Sequence, residues 1–231
     1  MLSETKFIQG EHRLRTPRAA GFAGVIAGGL FIASHVLILI SFPVDPADRS
    51  ANLEDQRSLV SIALQLLPFA GIAFLWFMGV MRDRLGQRED QFYSTVFLGS
   101  GLLYLAMLFV ATAMGTGFAA GYALGPEPAP DNQAASFARA LMYNLSAVFV
   151  ARMAAVFMIS SATAWLRTHV MPTWVALVTY IVALILLFIV NISVWVSLVF
   201  PVWVLVVSIV MLTRRFLPQP EAAGGVGNVN P

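Results

Sequence analysis

Long apolar runs alternate with short charged clusters along the chain. A helix rises about 1.5 Å per residue and the hydrocarbon core of a bilayer is about 30 Å thick, so about 20 consecutive apolar residues make one crossing. Stretches of this kind begin near Ala19, Leu59, Phe92, Phe137 and Trp174. The last apolar stretch, Met171 to Leu212, is about twice the required length. It therefore folds back once, with Asn191, Ile192 and Ser193 as the natural turn. The pattern predicts six spans, at about 19–41, 58–81, 92–114, 137–166, 173–190 and 195–213. The fold class is an all-α integral membrane protein, one bundle with short loops. Residues 1–18 form a cytoplasmic N-terminal segment, 19–215 the transmembrane domain, and 216–231 a Pro-, Gly-, Ala- and Asn-containing tail that reads as disordered.

Charge then sets orientation. Cytoplasmic loops carry an excess of Lys and Arg. With six spans, Lys6, Arg13, Arg15, Arg18, Arg82, Arg84, Arg88, Arg167, Arg214 and Arg215 all fall on one side. The opposite loops hold Arg49 and Arg57, with Arg139 at a helix mouth, and they are acidic: Asp45, Asp48, Glu54, Asp55, Glu127 and Asp131. Both termini are thus expected in the cytoplasm, with the chain in a plasma membrane of the bacterial inner-membrane type. The apolar run from Ala19 to Ile40 is longer than a signal-peptide core of roughly 7–15 residues, so it is expected to be an uncleaved first span. Trp76, Trp165 and Trp174 are placed near the inner boundary, and Tyr122 and Trp195 near the outer one, where amphipathic rings settle. The outer loop Leu124–Ser136 contains Pro126, Pro128 and Pro130 and is expected to be extended.

Composition narrows the classes. Hydrophobic residues make up 58% of the chain and charged residues 11%, against about 25% charged in soluble domains. There is no cysteine, so disulfides, thiolate metal sites and cysteine nucleophiles are excluded. A net charge of +2 gives no footprint for nucleic acid. The partners expected are the lipid bilayer and either a second copy of the chain or another membrane protein.

Arg152 is the most informative position. It lies near the middle of the fourth span, where an arginine costs about 2.5–3.5 kcal/mol on insertion scales and usually faces protein or water. No Asp or Glu lies inside any of the six spans. Backbone carbonyls, Tyr, Asn, water, a lipid phosphate, a partner subunit or an anionic ligand are therefore its available partners. On the first span, Gly21, Gly24 and Gly28 project from nearly the same face as His35, and Gly24 and Gly28 form a pair that admits close helix approach. His35 is expected to point into the bundle or a dimer contact. Gln65, Tyr143, Asn144 and Tyr104 sit at depths where they could join His35 and Arg152 in an outer-leaflet polar pocket. Against this, Asn144 and Arg152 are about 80° apart on an ideal helix.

Several chemistries lack their residues. Of the three histidines only His35 is inside a span, so a bis-histidine haem has no second ligand, and no cofactor or metal is expected. A proton or sodium carrier lacks its intramembrane carboxylate. There is no H-E-x-x-H, G-x-S-x-G or P-loop and no catalytic residue set. Pro68 and Pro201 do not occupy corresponding positions of an inverted repeat. Three functions remain, in this order: a non-enzymatic accessory or scaffold membrane subunit that docks through the glycine face of its first span; a small permease or channel-like protein for an anionic or amphipathic solute using Arg152; and a lipid-binding or lipid-modifying membrane enzyme.

Overall fold

A computed structural model of the chain describes residues 17–41, 53–85, 91–124, 137, 140–142, 144–168, 171–188 and 194–213. The described residues are almost entirely helical: α1 (Pro17–Ser41), α2 (Leu53–Leu85), α3 (Gln91–Leu124), a π turn (Leu145–Val150) that runs into α4 (Ala151–Thr168), α5 (Thr173–Phe188), and a 3₁₀ turn (Val194–Leu198) that runs into α6 (Val199–Thr213). Most of the N-terminal segment, the turn at Asn191–Ser193, most of the proline-bearing loop, the side chain of Tyr122, Tyr143 and the tail lie outside the described residues. Five helical stretches are long and apolar enough to cross a membrane: Gly21–Ile38, Ser61–Arg82, Ser94–Met114, Ala140–Thr168 and Trp195–Thr213. The sixth, α5, is apolar but has 16 residues, about 24 Å.

Local sequence explains the boundaries. Pro17 opens α1 at a position where its missing N–H costs nothing. Glu54 and Asp55 fall in the first turn of α2, where the helix dipole favours acids, so the helix starts about five residues before the apolar run. Beyond Met114, α3 continues through small and apolar residues to Leu124, with Pro126 the first residue unable to extend it. The carbonyl of Pro172 receives the N–H groups of Val175 and Ala176 at 3.0 and 3.4 Å and starts α5. Pro201 lies in the first turn of α6, where its ring would crowd the carbonyl of Ser197 in a regular α-helix. The chain takes a tighter 3₁₀ path just before it.

The helices neighbour one another in the ring order α5–α4–α3–α2–α1–α6. Side chains close the ring, because Trp203 on α6 meets both Trp165 on α4 and Thr179 on α5. The centre is filled by aromatic rings from five helices. Phe74 on α2 lies 5.3–5.9 Å from Phe31, Phe77, Tyr104, Phe157 and Phe200. Phe97 stacks on Phe157 at 4.6 Å, and Tyr104 lies 4.5 Å from Phe200. Such pairs contribute about 0.5–1.5 kcal/mol each beyond the area they bury. The outside is equally apolar: Phe22, Ile26, Phe69, Ile72, Leu102, Leu177, Ile181 and Val206 are among the many large exposed hydrophobic side chains. An apolar surface around an apolar centre suits a lipid surrounding, and together with the helix lengths it supports a membrane location.

Candidate functional site

The glycine face of α1 is filled from within the chain. A Cβ at Gly21 would run into Leu212, one at Gly24 into Ser208 and Phe77, and one at Gly28 would stand 3.0 Å from the Cα and backbone N of Leu205. The face expected to receive a partner thus receives α6 and, at Gly24, α2. Neighbouring Gly29 has open space in front of it.

His35 continues that face towards the C-terminal end of α1 and is half-buried. Its Nδ1 lies 2.8 Å from the carbonyl oxygen of Phe31. A carbonyl only accepts, so Nδ1 carries the proton in this bond. Tyr104 is buried among the rings of the bundle centre. Gln65 is exposed on α2 and donates from Nε2 to the Ser61 hydroxyl at 3.2 Å. Asn144 is exposed and donates from Nδ2 to the Ala140 carbonyl at 2.9 Å. His35, Gln65, Asn144 and Arg152 all bond within their own helices, and Tyr104 belongs to the centre. The described geometry does not gather the five into one pocket.

Hydroxyl groups follow the same habit. Ser34, Ser100, Thr112, Ser160, Ser161, Thr163, Thr168 and Ser208 each donate to the carbonyl four residues earlier, at 2.6–2.8 Å. A hydroxyl that donates back this way has no hydrogen left to give another helix, although its oxygen can still accept, as that of Thr163 does. Among the described residues, Thr163 with Tyr180 at 2.6 Å and Trp203 Nε1 donating to Thr179 at 3.0 Å are side-chain bonds that cross between helices, and both hold α5. Trp165, near the C-terminal end of α4, is fully buried and stacked 5.9 Å from Trp203. Its Nε1 has no hydrogen-bond acceptor among the described residues.

Arg152 stands apart from all of these. It is exposed on the outside of the bundle, not turned into it. Its Nη1 donates to the carbonyl of Val148 at 3.1 Å. The same carbonyl accepts from the backbone N–H of Ala151. That carbonyl lies within the π turn and takes both donors, one on each lone pair. The turn also changes which way the later residues face. One extra residue in a turn rotates everything beyond it by about 100°, so the 80° between Asn144 and Arg152 shrinks to about 20°. Asn144, Phe149 and Arg152 are in fact all exposed. Arg82 and Arg167 are exposed too, but near the ends of their helices. Arg152 lies 12 residues after Ala140 and 16 before Thr168, about 18 and 24 Å from the ends of its span.

What the site offers is therefore one fixed cation on an apolar flank, with an amide on the same side. Comparison with protein-family models, with curated proteins and with solved structures finds no match for the chain.

Proposed function

We propose that this chain is a non-enzymatic accessory or scaffold subunit of a membrane assembly, with both termini in the cytoplasm, and that it docks through the flank of α4 that carries Arg152. The observation behind this reading is the exposed arginine halfway along an apolar span, hydrogen-bonded to the Val148 carbonyl of its own helix. Left in lipid, a charge at this depth costs a few kcal/mol, and intramembrane charges almost always face protein or a water-filled cavity. A partner seated on this flank removes that cost. The glycine face of α1 is not the docking surface in this reading, since α6 and α2 occupy it.

The alternative of a path for an anionic solute along Arg152 has less behind it. The arginine stands on the outside, and aromatic rings fill the middle of the bundle. A lipid-modifying enzyme needs convergent polar groups, whereas the described hydroxyls mostly bond back to their own helices.

A photo-crosslinking amino acid placed at Phe149, one turn from Arg152, tests the docking face in native membranes. Ile26 and Val206, exposed on α1 and α6, are the reference positions. The expected result is a protein adduct of defined mass at position 149 and lipid adducts alone at 26 and 206. Lipid adducts alone at all three positions would remove the docking reading.

A further inference from the structure

Resting on that docking face, we infer that the partner presents a carboxylate, an Asp or Glu in the middle of one of its own transmembrane helices, which pairs with Arg152. Depth excludes the other common source of negative charge. Arginines snorkel to headgroups from near helix ends. Arg152 is about 18 Å of helix from the nearer end of its span. A second copy of this chain is a poor source as well. No Asp or Glu lies within the apolar spans, so a copy brings only neutral groups or another Arg152. In a two-fold contact near the axis, like would face like.

The guanidinium is also prepared for such a partner. One of its five N–H donors is tied to Val148, which restrains the long side chain before anything binds. A planar fork remains that matches a carboxylate in two parallel hydrogen bonds. Phe149 is exposed beside it, and Leu145, Val148 and Val156 are half-buried around it, so water is scarce and the pairing is strong.

The cysteine-free chain makes the test direct. The full chain carrying Phe149→Cys is reconstituted in phosphatidylcholine vesicles with leucine-rich model helices. Each model helix has one cysteine near its centre and, beside it, Glu, Leu or Lys. Disulfide yield is read after mild oxidation. The expected result is a yield about tenfold higher for the Glu helix than for the Leu helix, as for a membrane-embedded polar pair. Adding Arg152→Leu should make the two equal. Adding Arg152→Glu should transfer the preference to the Lys helix, which keeps the test informative even if the leucine variant misfolds. Equal yields for the Glu, Leu and Lys helices on the otherwise unaltered chain would overturn the carboxylate while leaving apolar docking in place. Predominant disulfides between copies of the chain would overturn it too, by naming a second copy as the occupant. If position 149 gives lipid adducts alone in native membranes, the docking reading falls by itself, whatever the vesicles show.

Discussion

The seam between α1 and α6 and the seam around α5 hold helices together by different means. At the first, glycines let backbones meet: Gly28 sits against the backbone of Leu205, and Gly24 against Ser208. The serines there are satisfied by their own helices, so the contact is made by shape. Around α5 the helix is short and buries one narrow stripe of Val175, Ala176, Thr179, Ala183 and Leu186. Its register is fixed by polar bonds, Thr163 to Tyr180 and Trp203 to Thr179. Between lipid-bathed helices there is no hydrophobic driving force, so close fit and polar pairing are the means left. The chain uses fit where small residues are available and hydrogen bonds where the contact is thin.

Both seams lean on the same aromatic centre, so the largest effect is expected where they meet. Phe74→Ala, which removes a ring touching five others, should lower stability by about 3–5 kcal/mol in mixed-micelle unfolding. A loss below about 1 kcal/mol would mean that the rings are not a shared support. Next comes the pair Gly28→Ala and Gly29→Ala. The first should cost about 1–3 kcal/mol by pushing against the Leu205 backbone, and the second, with open space before it, should cost nothing measurable. Equal losses would remove shape as the basis of the α1–α6 seam. For the α5 seam, a double-mutant cycle of Thr179→Val with Trp203→Phe should return a coupling of about 0.6 kcal/mol. The smallest effect is expected at Arg152. Arg152→Leu in the isolated chain should change stability by less than about 0.5 kcal/mol, as for an exposed side chain. A loss of about 3–5 kcal/mol would instead indicate an arginine paired inside the bundle.

The apolar helices were legible in the sequence because length and apolarity alone decide them. The helices Pro17–Ser41, Thr173–Phe188 and Val199–Thr213 fall within a few residues of the apolar runs. The larger differences arise where polar residues still extend a helix, as at Glu54 and Asp55, or where nothing stops it before Pro126. The interior was partly legible. Gly24, Gly28 and Phe31 share a helical stripe, which could have pointed to an aromatic centre continuous with the glycine face. The facing of Arg152 was not legible, because it depends on the π turn. A period of 3.6 residues carries no mark of an inserted residue, and depth within a span says nothing about direction around it. For the same reason the burial of Trp165 could not be read from its depth along the span.

The aromatic centre has a consequence for temperature. In a soluble protein the core is assembled out of water, and the heat capacity of hydrated apolar groups bends stability into a dome with a cold side. Here the rings of Phe31, Phe74, Phe157 and Phe200 would exchange lipid neighbours for one another. Little apolar hydration is gained or lost when helices part within a bilayer, so the heat-capacity term nearly vanishes. Helix association then varies almost linearly with temperature, and cooling does not loosen the bundle.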